Sequence, residues 1–378
     1  MSKFEDVIPQ HVRALGGYVP GKAIKDAERE SGVSCIKMAS NENPFGPSPM
    51  AIAAMRRAAE EVNFYPDNEV TALRQHLATL HGVGTENILV TAGSTAFLVL
   101  AGRTLLAPGL NAVTSERSFI IYPIATEGAG GKLVRVPMRD DRFDLDGILA
   151  AINGDTRIVY IANPNNPTGT LLAPEELDRF MGRVPEHVCV VLDEAYSDFA
   201  QYFAREICVE YSHSMKYVRE GRNVVVLRTF SKAHGLAGIR VGYGIAPPEQ
   251  MSYFARMRTV FQVTNVAEAA ALAAMEDEQH IRRTLENNAA GVAYLTEKIR
   301  ELGLRVVPTW ANFVYVEAGE DAAALGKRMQ DAGIIIRPLT GKWGAPQAIR
   351  ITVGTPEQNR RCVETLKKVA GKVVVGAD

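Results

Sequence analysis

Short runs of β-branched and aliphatic residues recur along the chain, separated by longer stretches whose apolar positions fall three and four apart. The short runs lie at 88–91, 111–114, 133–136, 157–162, 188–192, 223–227 and 240–245. Helical patterns at 95–106, 145–152, 174–183 and 249–260 separate them, and helical stretches at 50–62 and 70–81 precede them. Several runs are apolar throughout rather than alternating, as in strands buried on both faces. The alternation predicts an α/β fold whose large, mostly parallel sheet is flanked by helices. Beyond it, Ile281, Leu285, Val292, Leu295, Ile299 and Leu302 share one face of a helix predicted over 279–303. Strands at 305–307, 313–317, 334–337 and 348–352 then bracket helices at 322–332 and 356–369, a small α+β layer.

Ahead of these patterns, residues 1–35 show no strong period beyond a short helix at 25–30, and 40–49 (SNENPFGPSP) is a loop or linker dense in Asn, Pro and Gly. The expected division is an arm over 1–40, a large domain over 41–262, and a small domain over 263–378 to which the arm contributes. A chain of 378 residues suits two domains. Composition narrows the classes. Hydrophobic residues make up 47% and charged residues 22%, as in soluble globular proteins, and a net charge of −1 gives no overall field for nucleic acid or an anionic membrane. Four cysteines lack a CxxC pair and seven histidines lack HxxxH or HxH spacing, so neither a disulfide framework nor a metal site is expected. No stretch approaches the roughly 20 apolar residues of a membrane span, and the first residues lack the apolar core of a signal peptide. The expected location is the cytoplasm.

Four local patterns carry candidate chemistry. Asn163-Pro-Asn-Asn-Pro-Thr-Gly169 follows a strand, where open α/β sheets bind ligands; it reads equally as a tight turn. Asp193 closes an apolar strand, either facing a cationic ring nitrogen or capping a helix. In Arg228-Thr-Phe-Ser-Lys232-Ala-His-Gly-Leu-Ala-Gly-Ile-Arg240, a lysine beside two hydroxyls is followed eight residues later by arginine. Such a lysine, desolvated, becomes a nucleophilic amine suited to imine formation beside a phosphate. Thr91-Ala-Gly-Ser-Thr95 joins a strand to a helix whose free N–H groups suit a phosphate, or is a simple capping turn.

In this order NNPTG, DEAY and SKxxGLAGxR resemble the class I/II aminotransferases of fold type I. Tyr18-Val-Pro-Gly-Lys22, Asn41-Glu-Asn-Pro-Phe-Gly-Pro47, Tyr65-Pro-Asp and Ile349-Arg-Ile-Thr-Val-Gly354 resemble, more narrowly, the histidinol-phosphate aminotransferase family. The resemblance runs from about Tyr18 to the last helix and implies pyridoxal 5'-phosphate as cofactor. It casts Lys232 as the Schiff-base lysine and proton carrier and Asp193 as partner of the pyridinium nitrogen. Asn166 and Tyr196 would bind the ring's phenolic oxygen, and Phe119 would stack on the ring. Ser94, Thr95, Thr229, Ser231 and Arg240 would hold the phosphate, with Tyr65 reaching across from a second subunit of a homodimer. Tyr18, Asn43, Arg337 and Arg350 would face the substrate.

The implied reaction is ping-pong transamination between small molecules, histidinol phosphate and 2-oxoglutarate. An aromatic-amino-acid aminotransferase and a phospho-amino-acid decarboxylase would share most of these residues. A cofactor-binding DNA regulator would need an appended domain that the arm has no room for. His234 stands where the family commonly has an aromatic residue and is expected to be a packed histidine; 201–220 has no assigned role.

Overall fold

The computed structural model describes residues 4–17 and 21–370. Its strands are β1 (Ile36–Lys37), β2 (Ile88–Thr91), β3 (Asn111–Ser115), β4 (Lys132–Val136), β5 (Thr156–Ala162), β6 (Cys189–Asp193), β7 (Val224–Thr229), β8 (Gly242–Ile245), β9 (Arg305–Val307), β10 (Phe313–Glu317), β11 (Ile334–Ile335), β12 (Arg337–Pro338) and β13 (Ala348–Thr352). Seven of them form one sheet in the order β2-β8-β7-β6-β5-β3-β4. All pairings in it are parallel except those of β8, which runs antiparallel to β2 and β7. The central strands bury nearly every side chain on both faces, so continuous Val, Ile and Leu runs specify them better than alternation would.

A second, antiparallel sheet in the order β12-β13-β10-β9 carries the small core of Leu295, Ile299, Val314, Val316, Leu325 and Ile351. The arm joins this half through β1, which pairs in parallel with β11. One correction to the sequence reading arises here. The single strand expected over 334–337 is two strands in different sheets, because Ile335 pairs with the arm while Arg337 pairs with β13. The helix Asn265–Glu276 buries Ala267, Ala270, Ala271 and Ala274 in the large core. The alanine run hid that helix, since its apolar face is too small in side-chain volume to mark a clear period.

The helix Glu278–Glu301 bridges both halves. Ile281 and Leu285 near its start pack beside Tyr196 and Phe313, while Leu295 and Ile299 near its end sit in the small core. A second helix unseen in the sequence, Ile121–Gly128, contains Pro123, which its first turn tolerates because the N–H there has no partner within the helix. Among the described residues, no helix is long and apolar enough to cross a membrane, and no group of three or more His, Cys, Asp or Glu side chains could hold a metal ion.

Candidate active site

The carboxyl ends of the parallel strands open into a cavity that small-domain residues close from above. Ser94, Thr95, Phe119, Asn166, Asp193, Tyr196, Thr229, Ser231, Lys232, Arg240, Arg337 and Arg350 all line it. Residues separated by more than 250 positions in sequence therefore share one wall.

Asp193 ends β6 and is 4% exposed. Its carboxylate accepts hydrogen bonds from the Tyr122 hydroxyl at 3.1 Å and the Ala195 N–H at 3.2 Å. Tyr122 lies flat against Tyr160, with centroids 4.7 Å apart, and so presents its hydroxyl in a fixed direction. Burial pushes the Asp193 carboxyl up to about 6, against which these hydrogen bonds act. A cation placed beside it would restore the ionised form.

Lys232 follows β7 by three residues. Burial, then the nearby Arg350 guanidinium, lowers its ammonium to about 8, so far more free amine exists near neutrality than for an exposed lysine. Nζ donates to the Ser40 carbonyl at 3.2 Å and lies 5.7 Å from the centre of the Tyr196 ring. The Tyr196 hydroxyl accepts from Asn41 Nδ2 at 2.8 Å.

At one end of the cavity, donors converge. The helix Ser94–Leu105 begins after Gly93, whose φ of 86° is open to glycine at no steric cost. A Cβ on Gly93 would come within 2.6 Å of Arg240 Nη2, and one on Gly242 within 2.6 Å of the Ser94 nitrogen. The two glycines thus let the guanidinium and the helix N-terminus approach the same point. Thr229 Oγ1 donates to Ser231 Oγ at 2.9 Å beside them. Hydroxyls, free helix N–H groups and a guanidinium together make a cup for a dianion.

At the other end stand Arg350 and Arg337. Arg350 is 4% exposed; its Nη1 donates to Asn166 Oδ1 and its Nη2 to the Ala39 carbonyl at 2.8 Å. Phe313 and Trp343 flank the guanidinium carbon at 5.3 and 5.5 Å. Arg337 lies across the strand pair from it and lines the same cavity.

Two expected site residues stand elsewhere, and a third is not described. Asn43 does not line the cavity: its Nδ2 donates to the Ala233 carbonyl at 2.8 Å and to Thr284 Oγ1 at 3.1 Å, tying the loop to the bridging helix. The asparagine at the site is Asn41, two residues earlier, held by Thr352 Oγ1 as well as Tyr196. Tyr65 is outside its own chain's cavity, 84% exposed and stacked on Phe261 at 4.8 Å. Tyr18 lies outside the described residues. His234 packs against the Phe230 ring at 5.0 Å, and burial lowers its pKa, favouring the neutral form. Sequence reasoning also missed Tyr122 and Trp343. Tyr122 follows Phe119 by three residues, a spacing that would have placed both on one side of a helical turn had Pro123 not masked it.

A sheet with an amine at one strand end, a carboxylate at the next and a dianion cup beside them defines an α/β transferase site built around a bound aromatic cofactor. The family described as "Aminotransferase class I and II" matches residues 33–366, and the chain belongs to it. It is 45% identical over 369 residues to the histidinol-phosphate aminotransferase of Akkermansia muciniphila, covering 97% of this chain and 99% of that one. It is 43% identical to histidinol-phosphate aminotransferase 2 of Ralstonia nicotianae, covering 98% of each. The crystal structure of the histidinol-phosphate aminotransferase from Sinorhizobium meliloti in complex with pyridoxal-5'-phosphate matches with a TM-score of 0.87 and 32% identity, over 96% of this chain and 97% of that one. The fold-type I architecture expected from the motifs therefore holds.

Pyridoxal phosphate, the cofactor of this family, fits the residues present. Its phosphate calls for the cup at Ser94 and Arg240, its cationic ring nitrogen for a buried carboxylate, and its aldehyde for a weakly basic amine.

Proposed function

We propose that the chain transfers the amino group of histidinol phosphate to 2-oxoglutarate by a ping-pong reaction on pyridoxal phosphate. The observation that carries the substrate assignment is the arginine pair: Arg337 and Arg350 are direct partners across β12 and β13, and both line the cavity that the dianion cup also lines. Histidinol phosphate has no carboxylate, so its phosphate must use the anion site that the glutamate carboxylate uses in the other half-reaction. Two guanidinium groups suit a dianion better than one.

In this reading Lys232 would hold the cofactor through Nζ, and its free amine would carry the proton to and from the substrate carbon. When bound, the cofactor supplies a conjugated ring that accepts the electron pair left on the substrate carbon. Asp193 would keep a proton on the ring nitrogen, with Tyr122 orienting that carboxylate. Asn166 and Tyr196 would donate to the ring oxygen, with Asn41 fixing the Tyr196 hydroxyl. Phe119 would cover the ring face. Ser94, Thr95, Thr229, Ser231 and Arg240 would grip the phosphate.

The working unit in this proposal is a cytoplasmic homodimer. Support comes from the surface around Tyr65: Phe64, Val260 and Phe261 are 70%, 64% and 43% exposed, an apolar patch that a second copy would cover. Tyr65 would then complete the neighbour's phosphate cup.

A substrate panel tests the assignment. The kcat/KM for histidinol phosphate should exceed those for phenylalanine and tyrosine with 2-oxoglutarate as acceptor. Preference for an aromatic amino acid would replace this reading with that of an aromatic aminotransferase.

A further inference from the structure

The stretch 201–220 folds as the end of the helix Ser197–Glu206, a turn through Cys208 with φ of 54°, and the helix Ser214–Arg219. Between these helices, Tyr211 and Ser212 reach beneath the carboxyl ends of three central strands. The Tyr211 hydroxyl donates to the carbonyl of Asn163, the residue directly after β5. Asn163 in turn donates its N–H to the Asp193 carbonyl at 2.9 Å. Ser212 Oγ donates to Glu194 Oε1 at 2.7 Å, directly after Asp193. The other Glu194 oxygen accepts from Arg228 Nε at 3.1 Å and Nη2 at 2.8 Å, the residue before Thr229. One dipeptide thus ties together the segments that present Asn166, Asp193 and Thr229.

We propose that Tyr211 is a positioning residue that holds the loop after β5 at the height where Asn166 meets the cofactor's ring oxygen; the proposal rests on the cofactor reading above. The Tyr211 ring packs with Ala200 and Ala204 against Leu171 and Trp310, so packing, not the hydroxyl, sets where the ring sits. Burial raises the phenol well above its ordinary value, so it remains a donor at every working pH. Asn163 is 1% exposed, and removal of the donor leaves its carbonyl buried without that bond. Other bonds act on this end at different atoms: the Asn163 N–H donates to the Asp193 carbonyl, Asn165 Oδ1 accepts from Ser118 Oγ at 2.9 Å, Asn165 Nδ2 donates to the Arg117 carbonyl at 3.1 Å, and Asn166 Oδ1 accepts from Arg350. The Asn163 side chain binds both backbone groups of Leu172, and Asn165 Nδ2 binds Thr168 Oγ1, which shape the loop internally. Trp310 N–H holds only its far end, at the Gly169 carbonyl. Tyr211 is the side-chain pin on the Asn163 carbonyl itself, where the loop leaves β5.

Tyr211→Phe keeps the ring and removes the pin. In the cofactor-free protein, amide exchange at Asn165 and Gly169 should rise roughly tenfold while the central strands exchange as in the wild type. In the loaded protein, the pH titration of the bound cofactor's visible band should shift and kcat should fall roughly tenfold, with KM changed less. Wild-type loop exchange together with a wild-type titration would overturn the proposal. So would exchange raised across the whole sheet, because that marks a structural role only. A wild-type protein that takes up no pyridoxal phosphate would sink the cofactor reading and the positioning role with it. Uptake by the wild type, with no difference in Tyr211→Phe, would sink the positioning role alone.

Discussion

Arg337 and Arg350 are direct partners across the antiparallel pair β12–β13, so their side chains leave the sheet on the same face. Two like charges placed opposite each other destabilise a sheet unless an anion lies between them. Arg350 is anchored at both terminal nitrogens and between two rings, whereas Arg337 sits nearer the arm, where a Cβ on Gly21 would fall 2.4 Å from its Nη2. Arg337→Ala should therefore lower kcat/KM for histidinol phosphate more than for glutamate, by ~1.5–3 kcal/mol of transition-state binding. Arg350→Ala should harm both. Equal losses for the two substrates in Arg337→Ala would remove the case for a two-arginine phosphate site.

Borohydride reduction of the loaded protein should fix the cofactor to Lys232, read by peptide mapping. Lys232→Ala should lose the visible band and turnover while keeping its circular dichroism. A label on another lysine refutes the assignment.

Asp193→Asn should still bind the cofactor, because the cup at Ser94 and Arg240 is untouched, but a neutral amide cannot hold the ring proton. Its kcat should fall by at least ~10²-fold, the scale on which a positioned proton-holding group contributes. Tyr122→Phe should give a milder loss, since it removes one of the hydrogen bonds that oppose burial at this carboxylate. A near-wild-type kcat in Asp193→Asn would reduce Asp193 to a cap.

The burial of Lys232 also sets a pH dependence for the cofactor-free protein. Its folded pKa of about 8 lies below the ordinary lysine value of 10.5, so between these values the unfolded chain binds more protons and stability rises with pH. The cost is complete below pH 8 and is relieved as pH rises toward 10.5. Asp193 acts in the opposite sense lower down: its folded pKa of about 6 lies above 3.8, so stability falls as pH rises through that window. Both costs overlap between about pH 6 and 8. Cofactor-free Lys232→Met should therefore unfold later than the wild type at pH 7, by up to ~3 kcal/mol. The gap should shrink as pH approaches 10.5. A pH-independent difference in Tm would contradict this account.

Sedimentation should find a dimer, and mixing Tyr65→Ala subunits with Lys232→Ala subunits should restore partial activity, because each hybrid holds one complete site. Full activity in a strictly monomeric species would make Tyr65 an ordinary loop aromatic.

The strand ends that carry Asp193 and Lys232 were legible because apolar runs stop abruptly at polar residues, and the order of the motifs tied them to one cavity. Asn41 was not legible. Two asparagines in SNEN are equivalent by composition, and only the fold turns Asn41, at φ 59°, toward Tyr196 while sending Asn43 to the bridging helix. Tyr122 was hidden because its helix opens across a proline. The helix Asn265–Glu276 left no clear period because an alanine face can pack in a large core without a strong hydrophobic signature. Pairing in two separate sheets within five residues, as at 334–338, depends on partners elsewhere in the chain and leaves no local trace.

That last feature imposes a spacing rule on the gene. Ile335 is paired with the arm strand, Arg337 with β13, and the lone residue between them, Ile336, is 5% exposed and rooted in the small core. Since successive strand residues point to opposite sides, inserting or deleting one codon here would swing the guanidinium away from the cavity even with the arm still docked. The chain length between the arm's strand partner and the cavity arginine is therefore fixed to the single residue.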